Sequence, residues 1–204
     1  MAARRGTLLG VELDDVSWHR TLRRQLAPGT TPDAVEIPQK HANSLLRPVT
    51  RQVADIPADG TPLVVWQHGT DELLVNTATA TLACSSGLVR VAIKVDCDQI
   101  GKPATVVVPL AVGAPGRPSG LVMSTFTRVD GPAVVVDIWS EALTAFAWET
   151  LLELARRLCA EVGRDTKGRA LVPADISAAQ GKLIVTPMAR HDVTLSDIAT
   201  RGSR

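Results

Sequence analysis

The sequence predicts an α+β fold in which a mostly antiparallel sheet of about six to eight strands packs on one long amphipathic helix, residues 141–162. Residues 88–98 alternate apolar and polar side chains, the period of a half-buried strand. Asp130-Gly131 separates two apolar runs, as in a two-residue hairpin turn. Leucine and alanine recur at helical spacing over 141–162, and Gly163 follows as a helix end.

Composition narrows the classes of function. The chain has 204 residues, 45% of them hydrophobic and 21% charged, which indicates a globular protein able to fold without metals or disulfides. A net charge of +1 and the absence of tyrosine argue against nucleic-acid binding. Three cysteines without a CxxC pair exclude a disulfide framework and a zinc ribbon. We therefore expect no metal and no cofactor.

The first residues do not predict a secreted or membrane protein. Arg4 and Arg5 resemble the start of a signal peptide, but acidic residues at 12, 14 and 15 interrupt the apolar stretch that follows. No run reaches the roughly 20 apolar residues that span a bilayer. We expect a cytoplasmic protein that does not contact membranes.

The N-terminal part of the chain predicts one strand and two helical segments. The strand covers 7–13, and a helix after Asp14 and Asp15 places its apolar residues on one face, namely Trp18, Leu22 and Leu26. Residues 27–38 contain three prolines and predict a loop. A second helix over 41–54 contains Pro48, which predicts a kink or two short pieces. We expect a flexible N-terminus over 1–6, one domain over 7–188 and a tail over 189–204 that is poorly ordered or extended.

The middle of the chain predicts strands over 63–67, 73–83 and 88–98. Pairing Leu82 with Val89 and Ala80 with Val91 places apolar residues on one face. This register leaves a four-residue loop at 84–87, where Gly87 supplies a positive φ.

The second half of the chain predicts further strands around the long helix. Pro109 predicts that the strand over 104–112 either lies at a sheet edge or ends near the proline, and the glycine- and proline-rich residues 113–120 predict a mobile loop. Strands 121–129 and 132–139 flank Asp130-Gly131, and Ser140 caps the helix. A final strand over 183–186 pairs either with 170–172 or with part of 174–178.

The order of these elements up to the long helix resembles the helix-grip arrangement of START-like domains. In that arrangement a curved antiparallel sheet wraps a long helix and leaves an apolar cavity. The resemblance rests on element order alone and leaves the segment after residue 164 unexplained.

Asp137 is the candidate catalytic residue. Pairing about the Asp130-Gly131 turn sets Ser124 opposite Asp137 and places the carboxylate on an apolar strand face with Phe126 and Trp139. An apolar environment favours the protonated form of an acid, which suits acid–base catalysis. The alternative is a structural aspartate bonded to Ser124 or to a helix N-terminus.

Three other clusters have both a chemical and a structural interpretation. Asp96 and Asp98 could hold a hard cation, but a solvated strand face is favoured because no third ligand is evident. The segment 68–72 joins a histidine to two acids, and a hairpin tip is favoured over a catalytic pair. Cys97 alternates into the apolar face and is interpreted as core.

Three functions remain open, and a non-enzymatic interaction or assembly module that forms a homo-oligomer is preferred. The apolar band of the long helix is wider than one face and indicates a second partner, either there or at a sheet edge. The first alternative is a domain that binds a small apolar ligand between sheet and helix. The residues predicted to line that pocket are Trp66, Met123, Phe126, Trp139 and Trp148. The second alternative is a hydrolase or isomerase that uses Asp137.

Overall fold

Two antiparallel sheets and two helices make up the residues that the computed structural model describes, 34–121 and 128–189. The helices are α1 (Gln39–Val53) and α2 (Ala133–Val162). The strands are β1 (Val35–Pro38), β2 (Leu63–His68), β3 (Asp71–Ser85), β4 (Leu88–Asp96), β5 (Ala104–Ala111), β6 (Leu171–Ala179) and β7 (Lys182–Ala189). The predicted α+β class with antiparallel strands is confirmed.

The strands form one sheet of four and one of three. The first has the order β2-β3-β4-β5 and the second has the order β1-β7-β6. All pairings within both sheets are antiparallel. Because the described strands do not form a single sheet wrapped around the long helix, the resemblance to a helix-grip arrangement finds no support.

Residues 27–38 were predicted to form a loop, and that prediction was wrong for the last four residues, which form strand β1. Val35 and Ile37 alternate with polar positions and are both buried, so a short strand signal is present in spite of the prolines. The strand predicted over 7–13 and the helix containing Trp18 lie outside the described residues.

Helix α2 begins at Ala133, eight positions before the predicted start. The strand predicted over 132–139 was therefore wrong, and Ser140 lies inside the helix instead of capping it. The prediction followed the β-branched run at 134–136, whose strand preference is weak compared with tertiary packing. The helical spacing of Val135, Trp139 and Leu143, all buried, outweighs it.

The ends of α2 follow local rules. The carbonyl of Pro132 accepts hydrogen bonds from the amides of Val135 and Val136, and proline is well tolerated at this end because it has no amide to leave unpaired. The predicted end at Gly163 is confirmed, since this residue follows the last helical turn with φ of 105°. Within the core, α2 contacts α1, β5, β6 and β7.

The β3–β4 hairpin confirms two strands and corrects their register. Ser85 pairs with Leu88, so the loop has two residues instead of the predicted four. Leu82 lies opposite Val91 and not Val89, a shift of two positions that preserves the apolar face near the turn. Gly87 has φ of 70°, as predicted.

A bulge in β3 between Asn76 and Thr81 reverses which side chains face the core. The Asn76 side-chain oxygen accepts from the Ala78 amide at 3.2 Å. The Thr79 hydroxyl donates to the Asn76 carbonyl at 2.7 Å and accepts from the Lys94 amide at 2.9 Å. The register near the turn, continued without a bulge, would place Thr77 opposite Asp96 on the polar face; with the bulge, Thr77 is buried.

Helix α1 covers the edge of β3 beyond this bulge. The Asn43 side-chain amide donates to the Leu82 carbonyl at 3.0 Å, and the Leu82 amide donates to the Asn43 side-chain oxygen at 2.6 Å. The Cys84 amide donates to Gln39 Oε1 at 2.9 Å. The predicted helix over 41–54 is confirmed, and it continues through Pro48 as one piece.

The two sheets meet where the segment 113–120 crosses β6. The buried Asp175 carboxylate accepts from the amides of Ser119 at 2.9 Å and Gly120 at 2.6 Å, and from the Ser177 hydroxyl at 2.5 Å. Gly113 pairs with Ser177, and a Cβ at Gly113 would lie 2.5 Å from the Ser177 oxygen. The segment predicted as a mobile loop is thus bonded to a buried strand at both ends.

Replacing Asn43 with alanine should destabilise the fold by about 1–3 kcal/mol, because the Leu82 amide and carbonyl would both lose their partner. Urea unfolding measures the loss. The matched control is Ser44→Ala, because Ser44 is exposed and bonds only within its own helix through the His41 carbonyl. A loss for Asn43→Ala no larger than that of the control would contradict the role of α1 as an edge cover.

Asp165 organises the turn after α2. Its carboxylate accepts hydrogen bonds from the Lys167 amide at 3.0 Å, the Arg169 amide at 2.7 Å and the Arg169 guanidinium at 2.8 Å. Desolvation raises the pKa of the Asp165 carboxyl, but these hydrogen bonds and the guanidinium charge outweigh it and hold the pKa below its usual value.

We expect Asp165→Asn to lower stability at pH 7, and the difference from wild type to shrink in acid. A carboxyl whose pKa falls on folding contributes stability above its unfolded pKa of about 3.9. That contribution is lost as the pH falls through the folded value. Urea unfolding at pH 7 and near pH 3 measures it, with exposed Asp59→Asn as the control. A difference that does not shrink in acid would disprove the charge effect.

Candidate interaction surface

Strand β2 is an open edge of the four-stranded sheet. It pairs with β3 on one side, and no strand of the described residues pairs with its other side. The Thr77 amide donates to the Pro62 carbonyl, which makes this a hydrogen-bonded pair of the antiparallel ladder. Such pairs alternate along a ladder. Leu63, Val65 and Gln67 therefore direct their amides and carbonyls away from β3.

The other sheet edges in the described residues are closed or interrupted. Strand β5 contains Pro109, and its Val107 forms a bridge with Asp130. Strand β6 is bonded to the segment that begins at Gly113, and β1 has only four residues and ends in Pro38. Prolines, short strands and covering segments are the usual protection of strand edges. Residues 63–68 contain neither a proline nor a formal charge.

The two faces of β2 have different surroundings. On the inner face, the Trp66 ring lies 5.5 Å from the Phe146 ring and 6.4 Å from the Trp139 ring, and the His68 ring lies 6.1 Å from Trp139, measured between centroids. On the outer face, Leu63 is 40% exposed and Val65 is 52% exposed. The aromatic contacts anchor β2 to α2 while its outer face remains accessible.

Helix α2 carries a stripe of exposed apolar residues that runs from its start near β5 past its contact with β2. Val134 is 41% exposed and Ile138 is 37% exposed, and Ala142 and Ala145 continue the row in exposed positions. Residues three and four apart share one face of a helix. Ile138 directly precedes Trp139, which contacts β2. We call the open edge of β2 and this stripe together the β2–α2 surface.

The structure brings together part of the predicted pocket. Trp66 and Trp139 are in contact, as the pocket requires. Trp148 lies nine residues after Trp139, which corresponds to about 180° around the helix and places it on the opposite side. Met123 and Phe126 lie outside the described residues. Phe146, which the prediction omitted, completes the aromatic cluster.

Asp137 does not have the predicted surroundings. It lies on an exposed face of α2 and not on the apolar face of a strand. The strand pairing that placed it opposite Ser124 was wrong for the 132–139 half, and Ser124 lies outside the described residues. The environment on which the catalytic hypothesis depended is therefore missing around this carboxylate.

An acidic pocket of about 560 Å³ lies between the β2–β3 turn and the end of β4. Its lining combines two acidic segments, 70–72 and 96–99, with the apolar side chains of Val65 and Leu74. The pairing of Leu74 with Asp96 brings the segments together. The predicted hairpin tip is confirmed, because His68 pairs with Asp71 across the turn.

Two of the four acids that line this pocket accept hydrogen bonds from side-chain amides. Gln99 Nε2 donates to Asp71 Oδ1 at 3.0 Å, and Gln67 Nε2 donates to Glu72 Oε1 at 2.9 Å. The excess of carboxylates can attract cations. Within residues 34–121 and 128–189, however, no group of three or more histidine, cysteine or acidic residues is placed to hold a metal ion.

The three cysteines fall into two environments. Burial raises the pKa of the Cys84 thiol to about 11 and that of the Cys159 thiol to about 12. Cys97 is only partly buried and lines the acidic pocket, so its interpretation as a core residue was incomplete.

Comparison with known proteins finds no match, whether among protein-family models, curated proteins or solved structures. None of the helices in the described part of the chain is long and apolar enough to cross a membrane. A proposal about function therefore has to come from the surface itself.

A thiol reagent such as DTNB at pH 8 should modify one cysteine per folded chain and three per unfolded chain. The thiolate is the reactive form, and burial both shields Cys84 and Cys159 and keeps them protonated. Absorbance at the released thiolate band counts the reactive thiols. Cys97→Ser should leave none reactive in the folded state, and rapid reaction of that variant would contradict the assignment.

Proposed function

We propose that this protein is a non-enzymatic interaction module that forms homo-oligomers through the β2–α2 surface. The observation that supports it most directly is the open edge of β2, whose outward amides and carbonyls have no strand partner in the described residues and whose Leu63 and Val65 are exposed. Exposed apolar strand edges readily pair with another strand. Addition of a strand to a sheet edge is a recurrent mode of protein recognition.

The stripe on α2 supports the same proposal. Edge hydrogen bonds alone give little specificity, whereas neighbouring apolar side chains provide area that becomes buried on association. Ile138, which directly precedes Trp139 at the contact with β2, and Val134 one turn before it supply such area, and Ala142 and Ala145 allow close approach of a partner. The exposed position of Asp137 removes the main structural reason to prefer an enzyme.

Val65→Lys should weaken self-association at least tenfold in Kd, about 1.4 kcal/mol. A lysine at this position adds a charge to an edge strand, which natural sheets use to prevent edge-to-edge pairing. Light scattering after size-exclusion chromatography, over a concentration series, measures the change. Because Val65 is 52% exposed, the thermal unfolding midpoint of the variant should remain close to that of wild type.

The matched control is Thr105→Lys, which adds the same charge to an exposed position of β5, the opposite edge of the same sheet. It should associate as wild type does. A wild-type protein that stays monomeric at every concentration would disprove the proposal. If both lysine variants weaken self-association equally, the added net charge is the cause, and the β2–α2 surface is not the interface.

A further inference from the structure

We infer that the partner at the open edge is a second copy of β2, antiparallel to the first, with Val65 opposite the partner's Val65. The inference rests on the proposed function and adds the register and symmetry of the contact. The joined sheets would form one continuous antiparallel sheet with a two-fold axis through the Val65 pair.

The hydrogen-bonding pattern of β2 favours this register. Leu63, Val65 and Gln67 direct their backbone groups to the open side, as the Thr77–Pro62 bond establishes. With Val65 on the axis, Leu63 lies opposite the partner's Gln67, so all three outward residues of each copy meet outward residues of the other. Every outward amide then has a carbonyl to donate to.

Other registers leave some of these outward amides and carbonyls without a hydrogen-bond partner. A slip of two residues sets Gln67 opposite the partner's Thr61, or Leu63 opposite the partner's Gly69, and both positions lie beyond the ends of β2. A slip of one residue pairs outward backbone groups with groups that already bond to β3. It also mixes the two faces of the sheet.

The strand itself carries no charge that opposes self-pairing. Residues 63–68 have no formal charge, so no like charges lie directly opposite each other in the new ladder. The carboxylates of the acidic pocket that Val65 lines belong to the neighbouring segments 70–72 and 96–99. The net charge of the whole chain is +1, which adds little repulsion between copies.

The symmetry places the two copies of α2 on one face. A two-fold axis perpendicular to the sheet sets both helices on the same side of the joined sheet. Trp139 and Phe146 contact Trp66 of β2 from this side, whereas α2 begins close to β5, where Asp130 bridges to Val107. Leu63 and Val65 lie on the other side of the new strand pair.

Disulfide trapping tests the register, with Cys97→Ser as the background because Cys97 is the partly exposed cysteine. Val65→Cys should cross-link to the partner's cysteine under oxidised glutathione. Directly paired residues of a hydrogen-bonded pair lie about 5.5 Å apart at Cα, within the roughly 4.4–6.8 Å that a disulfide spans. Gln67→Cys is the matched control, since two copies of Gln67 would lie about 13 Å apart.

A mixture of two cysteine variants tests the same register with an expected positive result. Leu63→Cys and Gln67→Cys should each fail to cross-link alone and should cross-link when mixed. Non-reducing gel electrophoresis after oxidation, with light scattering of each variant before it, separates the outcomes. Trapping of Val65→Cys at least about tenfold faster than Gln67→Cys, together with trapping in the mixture, would support the register.

The failures of the two proposals can be distinguished. Dimers by light scattering without a Val65→Cys cross-link, or with a Gln67→Cys cross-link, would overturn the register and leave the assembly proposal standing. Monomers throughout would overturn both. If the Val65→Cys thiol neither cross-links nor reacts with a maleimide, another segment covers the edge, and the second copy is excluded as its occupant.

Discussion

The bulge in β3 is the feature on which the rest of the described structure depends. At Asn76–Thr79 the strand leaves its ladder with β2 and reverses the side chains that face the core. Before the bulge, β2 protects one edge of β3; after it, Asn43 and Gln39 of α1 do so through their side-chain amides. Strand β3 thus pairs with a short strand and with a helix along the same edge. Strand β2 begins only at Leu63 because α1 occupies the next stretch of that edge.

This arrangement also explains why β2 is short. The side chains of α1 occupy the stretch of the β3 edge that a longer β2 would have covered, and the aromatic cluster at Trp66 holds β2 against α2. In the second sheet, the buried Asp175 accepts two hydrogen bonds from the segment 113–120 and one from Ser177 of β6. A buried carboxylate requires such partners, and here they close an edge of the second sheet.

Sequence patterns predicted the elements whose signal is local. The alternation in β4, the apolar run in β2, the helix α1 and the end of α2 at Gly163 all follow from residues close in the chain. The bulge was missed because a regular alternation through Thr77 and Ala78 also looks plausible, and only the side-chain bonds of Asn76 and Thr79 reveal the extra residues. The strand predicted over 132–139 was wrong because three consecutive valines have strand preference, whereas in the helix Val135 and Val136 face the core and Val134 is exposed.

The candidate surface was predictable only in part. Strand β2 was expected, as was an apolar band on the long helix, but the exposed row at Val134 and Ile138 precedes the predicted helix start. The position of β2 at an open edge depends on how α1, β3 and β5 are arranged in the fold. No local sequence pattern encodes that arrangement. The acidic pocket shows the same limit: each acidic segment was noted separately, and their convergence follows from the pairing of Leu74 with Asp96.

The pairing of β1 with β7 has a consequence for biosynthesis. Val35 lies opposite Val185, and β7 is the central strand of its sheet, so neither β1 nor β6 can join that sheet until the last described strand has been made. Strands β2 to β5, by contrast, are neighbours in the chain and pay little loop-closure entropy. On the ribosome, the nascent polypeptide can assemble the four-stranded half early, and the second half closes only after β7 has been synthesised.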